Sequence, residues 1–199
     1  VRFRGQPISY KKAGLRQLRS KVGIVFQNPD DQLFSASVYQ DISFGAVNMG
    51  LPSEEVHRRV NVVMEQIGIT YLKDRPTHSL SFGQKKRVAF AGIMVMQPEV
   101  IILDEPTAVL TPQETEVLFS VLRSLKEDGH SIILISHRLA EIMEITDKIT
   151  VLRSGKRIDT LTTAKCTEAL LSQLMIGRQI RTDKIEYAEK PRPERVLDV

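Results

Sequence analysis

The segment from Leu80 to Thr111 constrains the fold more than any other part of the chain. It reads LSFGQKKRVAFAGIMVMQPEVIILDEPTAVLT, which is a polar loop that opens a helix, a Gln-Pro turn and a short apolar strand. The continuous β-branched run from Val100 to Leu103 is typical of a central parallel strand covered on both faces. Asp104 and Glu105 follow it directly, at the sheet edge where open α/β sheets bind their ligands.

The adjacent acids Asp104 and Glu105 have two interpretations. In the first, the pair simply caps the next turn. In the second, Asp104 holds Mg²⁺ directly or through water, and Glu105 orients and deprotonates a water that attacks a γ-phosphate. The second interpretation is favoured because the polar loop LSFGQ lies shortly before the pair, separated from it by only one helix, one turn and the strand.

These two motifs together resemble those of the ATP-binding-cassette ATPase family. LSFGQ matches the signature motif of that family, and VIILDEP matches its acidic strand. The resemblance implies an α/β fold: a parallel sheet core like that of P-loop NTPases, with an all-helical subdomain inserted. It also implies ATP and Mg²⁺ as cofactors, with Glu105 as the catalytic base and Asp104 at the metal.

A third motif lies in the segment KVGIVFQNPDDQLF, where Val22 to Phe26 reads as a buried strand that ends in Gln27. By resemblance, Gln27 begins the Q-loop, contacts Mg²⁺ and the attacking water, and leads into a surface that touches membrane subunits. The alternative is a polar residue that only ends a strand. Leu33 and Phe34 are either a docking site for a transmembrane subunit or ordinary subdomain core.

Residues 37–78 show helical patterns with no intervening strand. Ser37 should cap one helix, and Pro52 and Ser53 should begin a second that Gly68 ends. The second helix carries one apolar stripe, formed by Val56, Val60, Val63 and Ile67. We therefore expect residues 1–27 to belong to the ATPase core, 28–80 to form a helical subdomain with the Q-loop, and 81–176 to hold the signature helix and the rest of the core.

The signature loop comprises Ser81, Phe82, Gly83 and Gln84. Ser81 supplies a hydroxyl and Gly83 a close backbone approach, which suit a γ-phosphate at a helix N-terminus. Phe82 departs from the family pattern, which has a second glycine there. By resemblance, the loop contacts ATP held by the opposite subunit. The basic run 85–87 either adds to this positive helix end or forms a solvated basic face, and we favour the solvated face.

His137 follows the next apolar strand, Ile132 to Ile135, which we also expect to be buried. Its position after a core strand that ends at the edge of Asp104 and Glu105 favours a functional role over a structural one. By resemblance, His137 is the switch histidine, which contacts the γ-phosphate and holds the water-orienting geometry with the acid. The other three histidines have no such context.

The resemblance changes along the chain. Residues 1–108 are similar to cobalt or energy-coupling-factor importers, on NPDDQLFSASVYQDISFGAVNMGLP, whereas residues 109–199 look more like sugar and nucleoside importers with tandem cassettes. Thr111 replaces the usual D-loop aspartate and opens a Thr-Pro-Gln-Glu capping box. We expect this substitution to spare the fold and to remove contacts across the dimer that need a carboxylate. The inward residues of the following helix should be Val117, Leu118, Val121, Leu122 and Leu125.

The C-terminal third should begin with a hairpin around Ser154-Gly155, followed by a helix from Glu168 to Met175. Residues 177–195 have the composition of a linker, and residues 196–199 resemble the first strand of a second cassette or a disordered tail.

No GxxxxGK[ST] motif occurs in the sequence. We therefore expect a fragment, or a mosaic, of a protein whose P-loop precedes Val1. Such a chain would bind ATP poorly in its own site but could offer its signature loop to a partner.

Charge and composition limit where the chain can act. The net charge is +4, the single cysteine excludes an intrachain disulfide, and no apolar run approaches the ~20 residues of a membrane span. We expect a peripheral protein on the cytoplasmic face of the membrane, working with transmembrane permease subunits and a second cassette, as homodimer, heterodimer or tandem, and without nucleic acid. The alternatives are a soluble cassette ATPase that acts on ribosomes or DNA, and a non-catalytic cassette that completes a partner's ATP site.

Overall fold

The structure is a computed structural model that describes residues 2–177. The predicted strand at residues 196–199 and the linker, apart from Gly177, lie outside the described residues, as does Val1. The chain divides into two compact units, one ending at Asp147 and the other beginning at Lys148.

Helices make up most of the regular structure of the first unit. They are α1 (Lys12–Lys21), α2 (Val38–Asn48), α3 (Ser53–Gln66), α4 (Phe82–Met94), α5 (Pro112–Glu127) and α6 (Leu139–Ile145). Single 3-10 turns lie at Pro29–Asp31, Thr70–Leu72 and Thr77–Ser79. The predicted run of helices without strands between residues 37 and 78 is therefore confirmed.

Two sheets complete the first unit. The strands are β1 (Arg2–Phe3), β2 (Gln6–Pro7), β3 (Val22–Val25), β4 (Val100–Asp104) and β5 (Ser131–Ile135). β1 and β2 pair as a short antiparallel hairpin, whereas β3, β4 and β5 form a parallel sheet with β4 in the centre. The predicted α/β fold with a parallel sheet is confirmed.

The two faces of the parallel sheet differ in burial. Val25, Ile101 and Leu103 point into the core that α4 and α5 cover, but Ile133 and Ile135 of β5 are 50% and 51% exposed. The expectation that Ile132 to Ile135 is buried is therefore wrong, whereas β4, expected to be covered on both faces, alternates between buried and half-buried residues. A continuous apolar run shows that both faces of a strand are apolar, but it does not show which elements pack against each face.

The helical segment is held by short-range caps and by one buried acid. The Ser37 hydroxyl accepts a hydrogen bond from the N–H of Gln40, and the predicted apolar stripe of α3 is buried, with Gly68 at positive φ after it. The buried carboxylate of Asp41 accepts the N–H groups of Phe34 and Ser35, at 3.0 and 2.7 Å. Asp41 therefore fixes the loop that carries Phe34 to α2.

Helix α5 begins as predicted, and four of its five predicted inward residues face the core: Leu118, Val121, Leu122 and Leu125. Thr111 and Glu114 form a complete capping box, with Pro112 in the first turn. The most deeply buried side chains are Phe119 and Leu122, while Val117, expected inside, is 41% exposed. Phe119 is not among the predicted inward residues, and Val117 is the one predicted inward residue that is exposed.

The second unit is a hairpin and a helix. β6 (Lys148–Arg153) pairs antiparallel with β7 (Lys156–Thr162) around Ser154 and Gly155, which both have positive φ. Helix α7 (Glu168–Ile176) follows a 3-10 turn at Thr163–Lys165, and Gly177 ends it in the left-handed conformation. Both predicted elements are confirmed. Among residues 2–177, no helix has the length and apolar character needed to cross a bilayer.

We predict that Gly23→Ala destabilises the first unit by roughly 1 to 3 kcal/mol, because overpacking a close contact costs about that much. A Cβ at Gly23 would lie 2.1 Å from Cγ2 of Ile93, a β-branched side chain that has little freedom to move. The matched control is Gly92→Ala in α4, where the nearest atoms to a Cβ are 3.9 Å away. Gly92→Ala should stabilise by about 1 kcal/mol. Urea unfolding measures both, and equal effects of the two changes would contradict the packing argument.

We also predict that Thr111→Ala destabilises the chain by about 1 kcal/mol, because α5 loses its N-terminal cap. Thr111→Ser keeps the hydroxyl that accepts the N–H of Glu114 at 3.2 Å and should remain within about 0.5 kcal/mol of the wild type. Thermal unfolding of the three proteins checks this. If the Ala and Ser variants melt together, the capping box does not stabilise α5.

Candidate functional site

The parallel sheet brings three strand ends to one edge. In its register Val25 pairs with Leu103, and Asp104 pairs with Ile135. Gln27, Glu105 and His137 each follow the last residue of their strand by one or two positions. The three residues therefore lie at the same carboxyl edge of the sheet.

The main-chain N–H and the main-chain carbonyl of Glu105 are both hydrogen-bonded. Its φ is 45°, an unfavourable conformation for a residue with a side chain. Its N–H donates to the carbonyl of Ile135 at 2.9 Å, and its own carbonyl accepts the N–H of Ala108 at 3.2 Å and the ammonium of Lys86. These bonds fix the direction in which the Glu105 side chain leaves the strand.

The carboxylate of Glu105 binds His137. Oε1 lies 2.7 Å from Nδ1 of the ring and also accepts the main-chain N–H of His137 at 3.2 Å. A carboxylate only accepts hydrogen bonds, so Nδ1 carries the proton of this bond, and Nε2 is an acceptor in the neutral ring and a donor in the imidazolium. The His137 side chain is 75% exposed and that of Glu105 only 15%. The exposed Nε2 and Oε2, which has one long contact of 3.4 Å with Ser136 Oγ, remain available for a ligand.

Asp104 and Gln27 share the edge with Glu105 but are not joined to it or to each other. Among the residues that the structure describes, neither side chain makes a hydrogen bond or an ion pair. Carboxylate and amide oxygens without protein partners suit Mg²⁺, which keeps most of its ligands as water and phosphate oxygens. Within residues 2–177 no group of three or more His, Cys, Asp or Glu side chains forms a metal site. A Mg²⁺ held here would need nucleotide oxygens as further ligands.

The signature residues lie at the N-terminus of α4. The Ser81 hydroxyl accepts the N–H of Gln84 at 3.3 Å, and the Gln84 side chain accepts the N–H of Ser81 at 3.0 Å, which makes a capping box. Phe82 is partly exposed. A Cβ on Gly83 would lie only 3.1 Å from Oε2 of Glu114, so the loop packs closely on the start of α5.

Glu114 joins the starts of α4 and α5. Its carboxylate accepts the N–H of Thr111 at 3.1 Å, the Thr111 hydroxyl at 3.3 Å and Nη2 of Arg87 at 3.2 Å. The sequence predicted the capping box but not the pair with Arg87. Two helix starts that are distant in the chain are thereby held together.

The basic run after the signature is not a solvated face, contrary to expectation. Lys86 is only 4% exposed, and Lys85 binds Asp30 at 2.6 Å. Burial lowers the pKa of Lys86, while the nearby charges of Glu105 and Asp104 oppose that shift. Lys86 precedes the buried Phe90 by four residues, so the helical period already placed it on the core side. That signal was present in the sequence.

The comparisons with known proteins agree with this fold and motif set. The ABC transporter family model matches residues 1–108. The energy-coupling factor transporter ATP-binding protein EcfA3 of Clostridium perfringens is 50% identical over 159 residues, which cover 79% of this chain and 56% of that protein. EcfA of Methanocaldococcus jannaschii is 46% identical over 156 residues, 78% of this chain and 56% of that protein.

Two solved structures are similar as well. One is cbiO1 from Clostridium perfringens, part of the ABC transporter complex cbiONQ, with a TM-score of 0.73, 48% identity, and coverage of 81% of this chain and 65% of that one. The other is the ATP-binding cassette MJ0796 bound to ADP and Pi, in a post-hydrolysis dimer. It has a TM-score of 0.71 and covers 78% of this chain and 68% of that one, but at 21% identity it supports the fold alone.

The two parts of the chain, residues 1–108 and 109–199, resemble different types of importer ATPase, and the matches test where the first resemblance ends. The chain spans about half the length of the curated relatives it matches. An alignment of 159 residues cannot fit within residues 1–108, so similarity to the energy-coupling-factor proteins extends past residue 108. The resemblance of residues 109–199 to sugar and nucleoside importers stays a prediction. From its motifs, its parallel sheet and these matches, the chain belongs to the ABC transporter family.

Proposed function

We propose that the chain is part of the ATP-hydrolysing subunit of an ABC importer, which couples hydrolysis at a cassette dimer interface to solute transport. The observation that carries the proposal is the bond of 2.7 Å between Glu105 and His137 at the common edge of the parallel sheet. Such an edge is where α/β sheets bind ligands, and the pair leaves one carboxylate oxygen and one ring nitrogen for chemistry. The division into a core, a helical subdomain at 28–80 and a signature segment at 81–176 belongs to the same proposal.

Glu105 is the proposed base and His137 the proposed γ-phosphate contact. A phosphate oxygen only accepts hydrogen bonds, so this contact would use the imidazolium form of His137, in which Nε2 donates. Oε1 of Glu105 is occupied by His137, so Oε2 is the oxygen left to orient a water and take its proton. Asp104 and Gln27 would hold Mg²⁺, whose charge, when it is bound, offsets that of the phosphates. Catalysis of this kind depends on positioning and charge stabilisation, which the bonds around Glu105 supply.

The signature loop would serve ATP held by a second cassette. Ser81 accepts a hydrogen bond in its cap but keeps its hydroxyl proton for a phosphate oxygen. The helix N-terminus adds a positive partial charge there. Gly83 contributes a main-chain N–H of the same first turn, whereas the N–H of Gln84 is donated to Ser81 in the cap, and Phe82 lies at the surface beside them.

A surface next to the Q-loop is the proposed contact with transmembrane permease subunits. Phe34 and Phe44 pack edge to face at 4.7 Å, yet they remain 65% and 49% exposed, and Val47 is also exposed. Leu33 packs against the core instead, so of the two residues only Phe34 is left for docking. An exposed aromatic cluster is costly in water and typical of a protein interface. The subunit would thereby lie at the cytoplasmic face of the membrane, like ATP-binding subunits of transporters.

We predict that Glu105→Gln lowers ATP turnover at least 100-fold, because an amide cannot take a proton from the attacking water. ATP affinity should stay within about threefold, because the Gln side chain has the same shape as Glu. The protein should be extended upstream of Val1 through a P-loop for this measurement. Glu99→Gln is the control, since Glu99 immediately precedes the other end of the same strand and is paired with Arg4 and Lys21. Turnover comes from phosphate release and affinity from nucleotide titration. Unchanged turnover in Glu105→Gln would eliminate this base, and ATP binding without turnover in the wild type would favour a non-catalytic cassette.

We predict that changing Phe34 and Phe44 together to Ser abolishes co-purification with the permease subunits and leaves basal ATP hydrolysis of the extended protein within about twofold. The aromatic pair lies on the surface and supports no part of the core. Tyr71→Ser is the control, because Tyr71 is 64% exposed, the same as Phe34 within a percentage point, but lies elsewhere in the helical segment. Retained assembly in the double variant would exclude this surface, and recovery with ribosomes instead of membranes would argue against an importer.

A further inference from the structure

Lys86 is a lysine inside an apolar core. It is 4% exposed, and its side chain lines a small cavity with Val25, Phe90, Leu103 and Pro106. A buried ammonium is unfavourable unless it is hydrogen-bonded, and lysine is among the residues least often buried. If the side chain at this position only filled space, Met or Leu would be more favourable than a buried ammonium. The charge of Lys86 therefore has to be explained by what it binds.

The ammonium is directed at the main chain of the proposed base. It donates to the carbonyl oxygen of Glu105 rather than to the Glu105 carboxylate, and the Phe82 ring lies 6.0 Å from Nζ. The same carbonyl accepts the N–H of Ala108, and Glu105 has a φ of 45°. A strained residue of this kind persists only where its surroundings hold it.

We propose that Lys86 is a positioning residue for Glu105: its ammonium holds the peptide after Glu105 in the orientation that turns the carboxylate toward His137. This rests on the proposed function of Glu105 as the base. Lys86 lies one turn after Gly83 on α4, so the contact also connects the signature loop, which would serve a partner's ATP, to the base of this chain's own site. A shift of α4 on contact with a partner's nucleotide would then reach the carboxylate directly.

Lys86→Met tests the proposal, because Met fits the apolar cavity with a similar length and lacks the donor. The control is Lys85→Met, the adjacent residue of the same helix, whose ammonium binds Asp30 at the surface. In the upstream-extended protein, Lys86→Met should lower kcat at least tenfold with the KM for ATP within about twofold, and Lys85→Met should change neither. In the Glu105→Gln background, adding Lys86→Met should change the residual rate by less than twofold.

A second readout does not depend on activity. A crystal structure of the Lys86→Met variant of this chain should show the Glu105 Oε1 to His137 Nδ1 distance increased beyond 3.5 Å. If Lys86→Met does not fold, Lys86→Leu, which is also apolar and lacks a donor, replaces it in both measurements. An unchanged Glu105–His137 contact, or a kcat equal to that of the control, overturns the proposal. An inactive wild type would refute the proposed function and leave the crystallographic test of Lys86 valid.

Discussion

The parallel pairing of β4 with both of its neighbours is the constraint on which the site depends. Ile101 and Leu103 point into the core and Ile102 points the other way, so a slip of one residue would exchange the two faces. It would also move Glu105 away from the end of β5 and break its N–H bond to Ile135. The apolar pattern of β4 therefore sets the position of the acid as well as the packing of the core.

The conformation of Glu105 is unfavourable locally and is maintained by partners from three segments. A non-glycine residue in the left-handed region costs of order 1 kcal/mol or more. Against this, Ile135 binds its N–H, Ala108 and Lys86 bind its carbonyl, and His137 binds its carboxylate. A hydrogen bond contributes about 1 kcal/mol net, and more when one partner is charged, so the set is sufficient to hold the strained residue. The direction of the carboxylate is in this way decided before any ligand arrives.

The features that the sequence predicted are those set by neighbours in the chain. The caps at Ser37 and Thr111 and the turn at Ser154-Gly155 need only a few consecutive residues, and the common edge of the three polar strand ends follows from parallel strands. Long-range packing decided the rest. The exposure of Ile133 depends on which elements cover β5, and the bond of Lys86 to the carbonyl of Glu105 depends on where β4 lies relative to α4.

Thr111 shows how a local substitution is absorbed by the surrounding structure. The sequence indicated that a carboxylate is missing from the D-loop, yet Glu114, three positions later, places a carboxylate against Gly83. Thr111 and Arg87 of the same chain already occupy it with three hydrogen bonds. A carboxylate so engaged has little capacity for a contact across a dimer, but it binds α5 to α4. Since Lys86 binds the same helix to the end of β4, the signature helix is anchored to both segments that follow it in the chain. Contacts across a cassette interface would therefore act on this connected group and not on an isolated D-loop side chain.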